Sequence, residues 1–433
     1  MELALYCPEL GFYEREKDNV GRSGHFYTSV SVGPLFGELL AFQFARWFEE
    51  RINERKFANC APEPTPNPSE EGNPQPTPNP SQEGNPNPDA LPCGVPLLGG
   101  VRGGFSQRFM GSAECGVEHE TLQLIEAGAH DGRLACDILN WLRERRPEVF
   151  ERTQYCIIEP SAIRREWQRK TLAEFSQQLR WHDSFPIPSS DLRPPISVLC
   201  FSNELLDAMP VRRFGWDTAK HAWFEWGVAT EADRFIWTRM TGTIDPASLG
   251  LPTSPELLDV LPDGYTMEIS PAAEAWWSAA AKGIGHGRLL TFDYGYGAEE
   301  SISPGRLNGT LRAYRDHKQV ENVLDAPGEQ DITAHVDFGR IKRAGETAGL
   351  KTEQMERQES FLTRLASETW KPGADFGDWD QKRTRQFQTL THPQHLGRNF
   401  RVLIQNGASN SDSACPSEKQ KAEIGKAERS VGE

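Results

Sequence analysis

No sequence feature narrows the fold more than the stretch from Thr121 to Arg145, TLQLIEAGAHDGRLACDILNWLRER. An apolar run enters a turn bearing Gly128 and Gly132, and apolar residues then recur at helical spacing. That order predicts a β-strand, a tight glycine turn and an α-helix. YCIIEP (155–160) reads as a second strand, SAIRREWQRKTLAEFSQQL (161–179) as a second helix, and ISVLCFSNELLDAMP (196–210) as a third strand running into a polar turn. EISPAAEAWWSAAAKGI (268–284) returns to helix, with Ser270 as its cap and Pro271 at its first position. RLLTFDYGYG (288–297) is another buried strand and NFRVLIQ (399–405) a final one. Such alternation specifies an α/β protein built on a parallel sheet. Three aromatic, alternating pieces, VRRFGW, HAWFEWGV and RFIWTRM, read as antiparallel strands added to that parallel core.

At 433 residues the chain exceeds one average domain. LFGELLAFQFARWFEERI (35–52) has an amphipathic helical pattern, after which the composition changes abruptly. PTPNPSEEGNPQ (64–75) is followed at once by PTPNPSQEGNPN (76–87), a tandem repeat without a large apolar residue. Such a repeat cannot bury a core, and it reads, with the glycine-rich GVPLLGGVRGGF beside it, as a disordered insertion that a fold tolerates at little entropic cost. The expected organisation is an N-terminal helical segment (1–57) packing on the core, the insertion (58–116), a catalytic domain (117–405) with added strands and a helix near 211–285, and a disordered tail (406–433).

The formal charge of -15 argues against binding nucleic acid, which needs a basic surface to replace counterions. The eight cysteines include no C-x-x-C pair and no Cys/His cluster at zinc spacing, so no metal site is expected and the thiols read as reduced. No apolar run approaches the roughly 18 residues of a membrane span. The N-terminus lacks a signal-peptide core and an Arg-rich transit pattern, so a soluble, intracellular protein is expected.

In an open α/β sheet, ligands bind beyond the carboxyl ends of the strands. After the first strand, Gly128 can make the tight turn and Gly132 can let the helix pack close. Glu159, at the end of the second strand, can accept both hydroxyls of a ribose. This pair suits either a nicotinamide dinucleotide or S-adenosylmethionine. The phosphate separates them, because a pyrophosphate favours a small residue at mid-loop, where this chain has His130. Glu126, before the first glycine, also suits a methyltransferase loop of the form E-x-G-x-G-x-G. A histidine keeps such a loop usable if its φ is negative.

Asn203, Glu204 and Asp207 cluster at the third strand's end, where Glu204 and Asp207 would share a face if the turn is helical. In that case they could also merely complement a helix dipole. A sulfonium and a cationic acceptor about 4 Å apart repel by roughly 4 kcal/mol at an effective dielectric of 20. Carboxylates there would offset that repulsion, grip a guanidinium and take up the proton lost.

The segments ALYCPELGFY (4–13), GHFYTSVSVGPLFGELLA (24–41), EAGAHDG (126–132), IIEPSAIRR (157–165), WHDSF (181–185), SNELLDAMPVRRF (202–214), LLTFDYGYG (289–297), GTLRAYRDH (309–317) and PGEQDITAHVDF (327–338) resemble, in this order, the MidA family of S-adenosylmethionine-dependent methyltransferases. The family includes the mitochondrial arginine methyltransferase needed for respiratory complex I assembly. The resemblance implies a class I methyltransferase (Rossmann-like) fold, with a seven-stranded, mostly parallel sheet, one antiparallel strand and an added substrate-facing region. It implies that Glu126, Gly128, His130 and Gly132 hold S-adenosyl-L-methionine, that Glu159 holds its ribose, and that His182 and Asp183 meet its adenine. Phe26, Thr28 and Ser29 match a segment closing over the cofactor. Asn203, Glu204, Asp207 and Pro210 match the acceptor motif, and Asp293, Tyr294, His335 and Asp337 would line the cleft. The implied acceptor is an arginine of a protein such as a complex I subunit, and a homodimer stays open. Eukaryotic members of the family are mitochondrial, but the lack of a transit pattern makes a bacterial cytoplasm the expected compartment, or a mitochondrion for a eukaryotic chain lacking its N-terminus. His130 replaces the family's middle glycine and His25 its Asp, which leaves one alternative: a catalytically impaired relative acting as a binding or assembly factor.

Overall fold

The computed structural model describes residues 1–15, 28–59, 120–185, 196–316, 318–394 and 396–407. The repeat-bearing insertion, Phe26, His25 and all of the tail beyond Gly407 lie outside the described residues. By its contacts the chain divides into Met1–Arg51 with His119–Glu433, and Ile52–Glu118. The elements below belong to the first unit, apart from the end of one helix.

In chain order the helices and strands begin with α1 (Glu2–Tyr6) and α2 (Leu35–Asn59), followed by β1 (Thr121–Ala127), α3 (Arg133–Arg145), α4 (Pro147–Glu151) and β2 (Thr153–Ile158). Next come α5 (Ala162–Thr171), β3 (Leu179–His182), β4 (Ile196–Asn203), β5 (Arg212–Asp217), β6 (Ala222–Glu231) and β7 (Arg234–Arg239). They continue with α6 (Pro255–Leu258), β8 (Thr266–Ile269), α7 (Pro271–Ile284), β9 (Arg288–Tyr296), β10 (Arg312–Arg315), β11 (Lys318–Val320), β12 (Asp331–Thr333) and β13 (Val336–Asp337). The chain then forms α8 (Phe338–Thr347), β14 (Leu350–Arg357), α9 (Gln358–Thr369), α10 (Gln381–Thr391) and β15 (Phe400–Gly407).

The central sheet runs β14-β15-β9-β4-β1-β2-β3, with the two-residue β13 added to β9. β1 pairs in parallel with β2 and β4, β2 with β3, and β4 with β9, whereas β15 is antiparallel to both β9 and β14. The mostly parallel sheet is the one the alternating text predicts. Its strand order reverses at β1, which opens a crevice between the β1 and β4 carboxyl ends, where α/β proteins bind ligands.

Local chemistry places the covering helices. Ser270 caps α7 by accepting from the Ala273 N–H at 3.2 Å, and Pro271 occupies its first turn as its sequence predicts. Ser161 caps α5 from the Arg164 N–H at 3.3 Å. One face of the sheet packs Ile125, Cys156, Cys200, Leu289 and Leu403 against Trp277 of α7 and Ile341 of α8. α2 contributes a second apolar surface, in which Phe36 meets Phe292 edge-on and Phe44 packs against Phe201.

The aromatic pieces are not added to the central sheet. β5, β6 and β7 form a separate antiparallel sheet of order β7-β6-β5-β8, which encloses its own core of Phe214, Trp216, Trp223 and Tyr265. Their alternation gives them one apolar face, and that face is satisfied by a local cluster instead of the parallel core. A third sheet, β11-β10-β12, buries Leu5 and Phe12 of the N-terminal segment against Ala313 and Ile332.

Candidate functional site

The loop from β1 to α3 carries left-handed backbone at three alternate positions: Gly128 at φ 74°, His130 at φ 48° and Gly132 at φ 84°. The φ of Gly128 favours glycine by torsion, and a Cβ there would press on the Leu205 Cδ1 methyl at 2.9 Å. The condition of a negative φ at His130 is not met. The loop path imposes αL there, a region in which histidine is several-fold enriched among non-glycine residues. Its ring lies edge-on to Trp167 with centroids 6.0 Å apart, and Nδ1 stands 3.7 Å from Asp131 Oδ1.

Gln168, fully buried on α5, ties this loop to the next. Its Nε2 donates to His130 O at 3.0 Å and to Glu159 Oε2 at 3.1 Å, while its Oε1 accepts from Trp181 Nε1 at 3.0 Å. Glu159 also accepts the Ser161 N–H at 3.1 Å, and burial raises its carboxyl above the usual range. Glu126 accepts the Tyr155 hydroxyl proton at 2.7 Å, and burial pushes it up to about 8.

These loops open onto a cavity of about 650 Å³, within the range of roughly 300–1,000 Å³ for small-molecule sites. Of the residues anticipated for a cofactor, Glu126, Gly128, His130, Glu159, Asp183 and Thr28 line it. Gly132, His182 and Ser29 do not: Gly132 begins α3, the His182 carbonyl receives the Glu159 N–H at 2.9 Å, and the Ser29 N–H is given to Glu204 Oε1 at 3.1 Å. Asp183 is ion-paired with Arg165.

Asn203, Glu204 and Asp207 line the same cavity from the β4 end. The turn that carries them is not helical, and Glu204 has φ 53°. The shared helical face and the helix-dipole reading therefore both fall away. What shapes this turn is Asp293 of β9, whose Oδ2 accepts the N–H groups of Leu205, Leu206 and Asp207 at 3.2, 2.8 and 3.4 Å. Burial raises Glu204 to about 8, Asp293 to about 7 and Asp207 well above its ordinary value. Asp293, Tyr294, His335 and Asp337 are not on the cavity wall. Asp337 caps α8 from the Arg340 N–H at 3.1 Å, and burial lowers His335 to about 4.

Sequence reasoning assigned no role to several wall residues. Tyr6, Tyr13 and Glu14 reach the cavity from the N-terminal segment, Asp331 from β12 and Ser161 from the start of α5. Tyr13 donates its hydroxyl proton to Asp331 Oδ1 at 2.6 Å, Tyr6 to the Ala208 carbonyl at 3.0 Å, and Ser161 to Glu14 Oε2 at 2.7 Å. The available signal was a repeat of apolar residue then tyrosine, Leu5-Tyr6 and Phe12-Tyr13.

The bare backbone at Gly128 and the buried carboxyls of Glu126 and Glu159 fit S-adenosylmethionine, and the imidazole at mid-loop stands where a pyrophosphate would need a small residue. Sheet, crevice and loop together define a methyltransferase of the S-adenosylmethionine-dependent class. The model of one such S-adenosyl-L-methionine-dependent methyltransferase family matches residues 108–355, and the chain belongs to that family. The match agrees with the MidA resemblance of the ordered motifs. Among curated relatives, the mouse mitochondrial protein arginine methyltransferase NDUFAF7 is 27% identical over 334 residues, covering 68% of this chain and 70% of the mouse protein. Its rat counterpart is 26% identical over 210 residues, covering 46% of this chain and 43% of the rat protein. The Drosophila melanogaster homolog is 24% identical over 306 residues, covering 65% of this chain and 66% of that protein. A crystal structure from Burkholderia thailandensis, bound to S-adenosyl-homocysteine, shares the fold with a TM-score of 0.65 at 23% identity, over 94% of this chain and 86% of that one. No helix among the described residues is long and apolar enough to cross a membrane.

Proposed function

We propose that this methyltransferase modifies a protein, placing the methyl group on an arginine side-chain nitrogen, with a respiratory complex I subunit as the kind of acceptor its mitochondrial relatives suggest. The observation that carries the reading is the acidic wall of Glu204 and Asp207, which faces the same cavity as the cofactor loop. When bound, S-adenosylmethionine supplies an electrophilic methyl group on a sulfonium. Glu126, Gly128, His130, Glu159, Asp183 and Thr28 hold it on one side. Glu204, steadied by the Ser29 N–H and the Asn203 amide at 3.1 and 3.0 Å, grips the acceptor on the other.

The raised affinities of these carboxyls for protons fit a cationic acceptor. Buried and without a cation, Glu204 is held protonated near neutral pH. An entering guanidinium favours the carboxylate, takes the place of the proton and is oriented by paired N–H donors. The same carboxylate then lies within reach of the proton that the guanidinium loses on methylation. The test is incubation with isotopically labelled S-adenosylmethionine and host lysate, followed by mass spectrometry of the labelled protein. Label on arginine supports the reading, and label confined to other residues or to small molecules overturns it.

A further inference from the structure

Beyond Glu204, the wall of the cavity includes two tyrosine rings and two more carboxyls, those of Asp207 and Asp331. Tyr6 and Tyr13 line it with ring centroids 5.6 Å apart and planes tilted by 34°. Both hydroxyls are already committed: Tyr6 donates to the Ala208 carbonyl at 3.0 Å and Tyr13 to Asp331 Oδ1 at 2.6 Å. With its hydroxyl proton turned to a protein acceptor, Tyr6 offers the cavity chiefly ring surface, while the Tyr13 ring already meets the Arg164 guanidinium and backs Tyr6 and Asp331.

The arrangement is rigidly backed. Leu5 and Phe12, each preceding one of the tyrosines, are buried in the cluster under the third sheet, and Asp331 opens β12 opposite Tyr314 of β10. Arg164 supplies a cation to the same wall: its Nε donates to the Tyr13 carbonyl at 3.0 Å, and its guanidinium lies over the rings of Tyr13 and Trp167, 5.6 and 4.8 Å from their centroids. The carboxyls of Asp207 and Asp331 both line the cavity and are both buried.

We propose that Tyr6, Tyr13 and Asp331, together with Asp207, form a seat for the cationic end of the acceptor side chain. Aromatic rings attract a cation through their quadrupoles, and carboxylates beside them repel anions and leave a neutral group without its gain. A guanidinium suits this seat better than an ammonium, because its plane packs on a ring while its edge meets a carboxylate. The proposal rests on the arginine reading above and adds specificity-determining residues to it.

Calorimetry on the full chain loaded with S-adenosylhomocysteine tests the seat, using N-acetylarginine amide, N-acetyllysine amide and N-acetylcitrulline amide as probes. The arginine amide should bind at least about tenfold more tightly than the citrulline amide, which keeps the shape and loses the charge. Asp331→Asn and Tyr6→Leu should each weaken the arginine amide by about tenfold or more, whereas Tyr6→Phe, which retains the ring, should stay within about threefold. S-adenosylhomocysteine affinity should be unchanged in all three variants and each should keep a cooperative melting transition, lowered in the two Tyr6 variants alike by loss of the hydroxyl bond to Ala208. Because Tyr6→Phe shares that loss and keeps the ring, the pair separates loss of the seat from loss of stability. Preference for the lysine amide, lost in the same variants, would keep the seat and overturn arginine as the acceptor. Citrulline binding as tight as arginine, wild-type behaviour of Asp331→Asn, or no binding of either cation would overturn the seat.

Discussion

His130 holds a left-handed backbone at φ 48°, and the cost of that conformation bears on whether the cofactor loop works. For a non-glycine residue it is roughly 1–2 kcal/mol, and glycine would relieve it while losing about 0.5–1 kcal/mol more in conformational entropy on folding. His130→Gly should therefore change stability by no more than about 1.5 kcal/mol and, since position 130 serves the cofactor through its backbone path, leave S-adenosylhomocysteine affinity within about threefold by calorimetry. A tenfold gain in affinity would mark the histidine as a defect and favour an impaired relative. Gln168 should matter far more. Its replacement by Leu strips partners from the His130 carbonyl, Glu159 and Trp181, each otherwise met at 3.0 or 3.1 Å. Since each orphaned buried group costs about 1–3 kcal/mol, Gln168→Leu should lower unfolding stability by at least about 2 kcal/mol in denaturant titration. It should also weaken cofactor binding, because Glu159 keeps only the Ser161 N–H of the two contacts that orient it. Glycines and carboxylates at strand ends were legible in the sequence, since their positions alone suggest what they do. Gln168 was not, because a glutamine inside a helix differs from a surface residue only through what surrounds it.

At the level of elements, the α7 seam ties the sheet together. Trp277 is fully buried and donates Nε1–H to Gln405 Oε1 at 2.7 Å, while Gln405 Nε2 donates to the Lys342 carbonyl and to Thr352 Oγ1, each at 2.9 Å. One indole thus packs α7 on β15 and, through Gln405, fixes α8 and β14. Trp277→Ala should cost about 3–5 kcal/mol in thermal or denaturant unfolding, with a change in midpoint at constant slope. A smaller loss would mean that the seam repacks. Periodicity revealed α7, its Ser270 cap and its proline, because these signals are local. The destination of the aromatic strands was not readable, since alternation says which face is apolar and not which surface will cover it. The β4 turn misled for a related reason: three N–H groups there are organised by Asp293, a residue distant in sequence.

Across the whole molecule, burying carboxyls around one cavity makes stability depend on pH. Glu126 has its ordinary value near 4.5 when unfolded and about 8 in the fold, with burial the principal cause. A raised acid favours the protonated folded state, so its contribution is fully present below the unfolded value and is lost as pH rises through about 8. Glu204, raised to about 8, acts in the same direction. These two groups should make the melting temperature of the cofactor-free protein fall as pH rises from about 4.5 towards about 8 and level off above it, and Glu126→Gln should make that slope shallower. A slope unchanged in the variant would show that Glu126 ionises normally. The order of motifs announced the family and the parallel sheet, but the meeting of the N-terminal tyrosines with Asp331 exists only once the third sheet has formed.

The division of one cavity into a cofactor wall and an acceptor wall is tested most directly by the S-adenosylhomocysteine dissociation constant of two variants. Glu159→Gln should weaken binding by roughly 10- to 100-fold, the worth of a charged hydrogen bond to a hydroxyl. Glu204→Gln should stay within about threefold of the wild type, because its carboxyl serves the acceptor and not the cofactor. Unchanged binding in Glu159→Gln, or a loss of binding in Glu204→Gln as large as that expected for Glu159, would contradict this division.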